Sequence, residues 1–290
     1  MVSPPSQPRA ILARFRAQHK PQFLDVGLDR WEFVHGGQGE PKVLVIPGSG
    51  GTAESMFPVQ DALESSTSVV SVGIPASVVD VDPAIHGINA ILGAVQARQA
   101  VLLGHSLGGM VAQAFAARHP ERVAGLVLAN TGFYRDARGV WIPWVAGIMA
   151  QMPPGLLARM VASQMDRLLR SVEEPDFWKD FYGREISGVD AGLRLQGQTR
   201  LMVNLLRYFR RNPILSSHSW TQSVPAQILS SADDRGFTGE EKRYLESLYP
   251  EARTTHFPQG TGHLSFLTRP SEYSGAVLQL VNQVRSAASN

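Results

Sequence analysis

Four short runs of almost uninterrupted apolar residues mark the first half of the chain: Val43–Ile46, Val69–Ile74, Ala100–Leu103 and Val123–Ala129. A strand with one face in water alternates apolar and polar residues, whereas a strand covered on both faces does not. Between these runs lie helix-sized segments near Thr52–Glu64, Pro83–Arg98 and Leu107–Arg118. Alternating strands and helices predict right-handed βαβ units, and so a mostly parallel sheet with helices on both faces. Upstream, Gln22–Gly37 reads as two short strands about a turn at Gly27–Asp29, an antiparallel opening.

After Asn130 the pattern changes. From Gly132 to about Ser223 there is no strand signal, only helical stretches broken by Pro143, Pro153, Pro154, Pro175 and Pro213. Strand alternation returns at Ala226–Ser230 and Arg253–Phe257, and an amphipathic helix over Ser271–Arg285 follows. The expected organisation is an α/β core in two parts, residues 1–131 and 224–290. A helical cap or lid, residues 132–223, is inserted after the sixth strand.

Composition removes several function classes. Hydrophobic residues make up 43% of the 290 and charged residues 18%, which suits a large core and argues against disorder. The net charge is +2 with no dense Lys/Arg block, so no nucleic-acid partner is expected. With no cysteine, thiolate catalysis and zinc–sulfur sites are excluded. The longest apolar run, Val140–Ala150, is interrupted by Pro143 and is too short to span a bilayer. The N-terminal stretch MVSPPSQPRAILARFRAQHK lacks the apolar segment of a signal peptide, and after Pro8 it reads as a short basic helix. The expectation is a soluble, cytoplasmic protein.

Two chemistries compete for the stretch VLVIPGSGGTAES (Val43–Ser55). Gly48-x-Gly50-x-x-Ala53 fits a dinucleotide fingerprint, but the same turn could present backbone N–H groups to an oxyanion. The dinucleotide reading needs an acidic residue at the end of the next strand. Val69–Ile74 instead runs into Pro75 and Ala76, and Asp80 beyond is more simply a loop or helix-start residue. The third unit, AVLLGHSLGGMVAQAFAARHP, decides the matter. It places Gly104-x-Ser106-x-Gly108 between an apolar strand and an apolar helix, as in a nucleophile elbow whose small flanking residues let the chain turn sharply.

A serine hydroxyl needs a base, and the base needs an orienting acid. QILSSADDRGF ends the next strand with Asp233–Asp234, and FPQGTGHLSF puts His263 in a glycine-flanked loop after the last one. His256 lies inside the strand RTTHF and is read as a packed or exposed strand residue. His105 is read as a buried, hydrogen-bonded elbow residue. No metal-ligand pattern appears, and neither a metal nor a cofactor is expected.

From the early hairpin to the final helix, the sequence resembles the α/β-hydrolase family, with GHSLGG and GTGHLSF similar to its nucleophile and histidine segments. The resemblance implies Ser106 as nucleophile, His263 as base and Asp234, rather than Asp233, as acid. It also implies that IPGSGG occupies the oxyanion turn, with Pro47 where histidine is common and with the N–H groups of Ser49 and Leu107 as donors. PGSGGTAESMF, GHSLGGMVAQAFA and EEKRYLESLYPEAR are similar to maspardin-like members.

The function expected is a serine hydrolase of a carboxylic ester, lactone or thioester with an apolar moiety. Two alternatives stand beside it. One is a cofactor-free C–C hydrolase, lyase or cyclase acting on a polyketide-like or aromatic substrate. The other is a non-catalytic, maspardin-like adaptor, which leaves a protein partner open. Phe133, Tyr134, Trp141, Trp144 and Met149 are the substrate-binding candidates, with Ile148, Met152 and Met160 beside them as possible pocket liners or lid packing.

Overall fold

The computed structural model describes residues 7–132, 146–187, 189–212 and 224–289. β1 (Gln22–Val26) and β2 (Asp29–Gly36) form an antiparallel hairpin whose turn places Gly27 at φ 65°. β3 (Lys42–Ile46) runs parallel to β4 (Val69–Gly73), and β2 pairs antiparallel with β4. β5 (Ala100–His105), β6 (Val123–Ala129), β7 (Ala226–Ser231) and β8 (Arg253–Phe257) continue in parallel. The strand order is β1-β2-β4-β3-β5-β6-β7-β8, a mostly parallel sheet as the apolar runs predict.

Successive side chains of a strand point to opposite faces, and here both faces are covered. Leu44, Ile46 and Leu102 join one core layer, whereas Val43, Val45, Val101 and Leu103 join the other. α1 (Gln7–Gln18) and α2 (Phe57–Leu63) cover the second face through Phe15, Phe57 and Leu63. α3 (Val81–Ala94) and α4 (Leu107–Arg118) cover the first through Ile88, Ile91 and Phe115. Each such fully buried side chain contributes roughly 1.5–3 kcal/mol.

α2 is shorter than the helix expected over Thr52–Glu64. The Thr52 N–H donates to Ser55 Oγ at 2.7 Å, a local bond of the kind that competes with helix formation. The helix itself begins at Phe57, with Pro58 in its first turn.

Between β6 and β7 the described chain is helical: α5 (Pro154–Leu168), α6 (Pro175–Ser187) and α7 (Val189–Arg211). Trp178 and Phe181 of α6 pack on Phe57 with ring centroids 5.6 and 5.5 Å away. Leu201, Leu205 and Phe209 of α7 enter the opposite core layer. The insertion is thereby tied to both faces of the sheet. After β7 come α8 (Gly239–Leu248), α9 (Ser265–Thr268) and α10 (Pro270–Ser289). α8 covers the first face, while α9 and α10 cover the second. Among the described residues no helix is long and apolar enough to cross a membrane.

Candidate active site

Ser106 occupies the one-residue step between β5 and α4, at φ 54° and ψ −118°. That backbone conformation costs a non-glycine residue about 1–3 kcal/mol and persists only when its surroundings enforce it. Here the Ser106 N–H donates to Ala129 O at 3.0 Å. Its carbonyl accepts from Gly109 N–H at 3.0 Å and from Thr131 Oγ1 at 2.7 Å. The flanking glycines are steric requirements. A Cβ on Gly104 would lie 2.5 Å from Gly108 O, and one on Gly108 would lie 2.0 Å from Ile46 O.

Asp234 follows β7 and His263 follows β8, and their side chains meet: His263 Nδ1 lies 2.9 Å from Asp234 Oδ1. Asp234 Oδ1 also accepts from Gly236 N–H at 2.8 Å, and Oδ2 accepts from Asn130 Nδ2 at 3.0 Å. Burial would raise this carboxyl, but bonding to His263, the His263 charge and the Asn130 and Gly236 donors outweigh it and hold Asp234 at about 2. Asp233 has a different task. Its two oxygens accept from Gly260 N–H and Gly262 N–H, each at 2.9 Å, and so shape the loop that presents His263. Asn130 has φ 44°, a conformation Asn tolerates better than most residues. Its Nδ2 also donates to Ser231 Oγ at 2.9 Å, and its Oδ1 accepts from Ser265 Oγ. Nothing in the sequence marks Asn130 for a role at the site; its contribution is to donate to the Asp234 carboxylate.

His105 is buried, as expected, but among the described residues neither ring nitrogen has a hydrogen-bond partner. Its ring lies 5.1 Å from the His263 ring and 5.0 Å from Phe266. Burial, reinforced by the His263 charge and opposed by Asp234, pulls its pKa from 6.5 to about 3. A lowered folded-state pKa makes a histidine's stabilising effect complete above the unfolded value and progressively lost as pH falls toward the folded one. Between pH 7 and 5, urea unfolding of the native chain should therefore lose about 2 kcal/mol that a His105→Leu variant keeps. Equal losses in both proteins would contradict this assignment.

Ser106 and His263 line one cavity of about 300 Å³, although no hydrogen bond joins them among the described residues. The cavity wall includes Met56, Met149, Met165 and Met202, the polar residues Ser55, Gln164, Tyr182 and Thr199, and no Asp, Glu, Lys or Arg among the described residues. Gly48 and Ser49 form part of the same wall. The Ser49 N–H has no acceptor among the described residues. Leu107 begins α4, so its N–H lacks an intrahelical acceptor. Met149 lines the cavity, whereas Ile148 and Met160 are 64% and 39% exposed and lie outside its wall. Phe133, Tyr134, Trp141 and Trp144 lie outside the described residues.

A mostly parallel α/β sheet with a serine at a strained strand-to-helix step, facing a cavity at the carboxyl ends of the strands, defines a hydrolase-type scaffold. The chain belongs to the α/β-hydrolase family, whose alpha/beta hydrolase fold pattern matches residues 46–270. It is 27% identical over 183 residues to pimeloyl-[acyl-carrier protein] methyl ester esterase of Aromatoleum aromaticum, covering 60% of this chain and 70% of that one. It is 26% identical over 233 residues to maspardin of Danio rerio, covering 79% of this chain and 70% of that protein. The thermophilic esterase of Thermogutta terrifontis shares the fold, with a TM-score of 0.70 at 18% identity over 92% of this chain and 99% of that one.

Proposed function

We propose that this chain is a serine hydrolase acting on carboxylic esters, thioesters or lactones whose acyl part is apolar and uncharged. The observation that carries the reading is a single cavity, free of Asp, Glu, Lys and Arg among the described residues, that holds both Ser106 and an Asp234-bonded His263. His263 Nδ1–H donates a hydrogen bond to the Asp234 carboxylate and keeps its proton, which leaves Nε2 as the basic nitrogen. Ser106 Oγ attacks the carbonyl carbon as its proton passes to Nε2, a contact that tightens once substrate fills the site. The N–H groups of Ser49 and Leu107 receive the negative charge that develops on the carbonyl oxygen. The tetrahedral intermediate collapses, and the leaving alcohol or thiol takes the proton from His263. Water then adds to the acyl enzyme with His263 again accepting a proton, and the carboxylic acid and free Ser106 are released.

The residues 132–223 act as the lid in this reading, with Met149 touching the acyl chain. Burying a charge without a partner is expensive, so a straight-chain monoester should be preferred over the half ester of the dicarboxylic acid of equal length by at least about 10-fold in kcat/KM. Two measurements test the proposal: peptide mapping of the protein treated with an alkyl fluorophosphonate, and rates on the paired esters. A phosphonyl adduct on Ser106 and the stated preference are expected; an unmodified Ser106 would sink the hydrolase reading and favour the adaptor alternative.

A further inference from the structure

The turn that carries Ser49 is gripped from above by the helical insertion. On α7 the buried side chain of Gln198 accepts from Gly50 N–H through Oε1 at 2.5 Å. Its Nε2 donates to Ile74 O at 3.2 Å and reaches Gly51 O at 3.5 Å. One backbone donor and two backbone acceptors fix which end of the amide points where. One turn earlier, Arg194 Nε donates to Gly50 O at 3.3 Å. Gly50 itself sits at φ +84°, where an added Cβ would meet Leu195 Cδ2 at 3.0 Å. α7 also lies flush on the segment after β4, since a Cβ on Gly197 would come 2.0 Å from Ala76 O.

These contacts immobilise the peptide groups on both sides of the Ser49 Cα. The peptide that carries the Ser49 N–H also carries Gly48 O, which accepts from Gly51 N–H at 3.0 Å. The following peptide carries the Gly50 N–H, which Gln198 holds. With both planes pinned, the direction of the Ser49 N–H is set, and the Gly50 N–H is occupied and cannot compete for the same oxygen. Pro47 brings no side-chain donor to this turn, so α7 supplies the bracing from outside it.

We propose that Gln198 is a positioning residue for the oxyanion donor, and that α7 thereby couples the helical insertion to the chemical step as well as covering the cavity. The inference rests on the serine-hydrolase reading above. Misplacing a preorganised donor by about an ångström costs about 10²-fold in rate, and Gln198 is not itself a residue of the cavity wall but bonds Gly50 and Gly51, which are.

The test uses Gln198→Leu and Gln198→Glu in the full chain, with p-nitrophenyl butyrate as substrate and an alkyl trifluoromethyl ketone as the analogue of the tetrahedral adduct. For Gln198→Leu, kcat should fall about 10²-fold with KM within about threefold, and the ketone's inhibition constant should rise in parallel with the loss of kcat/KM. Gln198→Glu serves as the second variant should the leucine protein fail to fold. Its carboxylate faces two carbonyl oxygens, but once protonated it offers an acceptor to Gly50 and a donor to Ile74, as glutamine does. Its activity relative to wild type should therefore climb as pH is lowered. A loss confined to KM, an unchanged ketone affinity, or a pH-independent ratio for the glutamate variant would overturn the role of Gln198. Absence of a fluorophosphonate adduct on Ser106 of the wild-type protein would instead remove the reading on which it rests.

Discussion

Ser106→Ala should lower kcat/KM for an ester by about 10⁴- to 10⁶-fold while KM stays within a few-fold. The substitution deletes one oxygen and keeps the Cβ, so the left-handed backbone at φ 54° and its bonds to Ala129, Gly109 and Thr131 need not change. Stability should shift by less than about 1 kcal/mol, because no buried packing atom is lost. What remains is the acceleration provided by binding and by backbone donors, which act without a nucleophile. Steady-state kinetics combined with urea unfolding separates this outcome from misfolding. A stable variant that keeps more than about one hundredth of the wild-type rate would place the nucleophile elsewhere.

Asp234→Asn is expected to cost about 10⁴-fold in kcat, for a reason contained in its neighbours. The groups that bond the carboxylate, His263 Nδ1, Gly236 N–H and Asn130 Nδ2, all act as donors to it. An asparagine has one acceptor and one NH₂ end, so one end must confront a donor. If the NH₂ faces His263, Nδ1 has to become the acceptor, which moves the ring proton to Nε2 and blocks it as a base. If the NH₂ faces Asn130, two NH₂ groups oppose each other in a buried place. The variant should also lose the acid-side stability of the native pair. With a folded value near 2 against 3.8 ordinarily, that stability is present above pH 4 and lost as pH falls through about 2. Acid unfolding curves of the two proteins should therefore converge at the low-pH end. A kcat within tenfold of wild type would mean that His263 is oriented by something other than Asp234.

The parts of this molecule that could be read from its sequence are those in which local and global demands coincide. Val43–Ile46 and Ala100–Leu103 read as buried strands because both of their faces are covered, and GHSLGG reads as an elbow because Gly104 and Gly108 pack against backbone. Of the adjacent aspartates, Asp234 bonds the His263 ring, while Asp233 holds backbone N–H groups of the loop, a division of contacts that two identical neighbouring residues do not announce. Gln198 gave no signal, since a glutamine in a long helix looks like any solvated position until the helix is laid against Gly50. Asn130 likewise gave no signal, because an uncharged residue at a strand end carries no mark of the carboxylate it donates to. His105 was expected to find a partner; its ring instead lies against those of His263 and Phe266 and remains unbonded.

The order of the strands has a consequence for how the protein is made. The elbow at the end of β5 leaves the ribosome with β1 to β5, whereas Asp234 and His263 arrive only with β7 and β8 at the far edge of the sheet. Through the early part of synthesis Ser106 therefore lacks the His263 imidazole that the proposed mechanism assigns to it as base. If Ser106 is the nucleophile as proposed above, the growing polypeptide would carry its own safety catch, lacking its general base until the last two strands have been added.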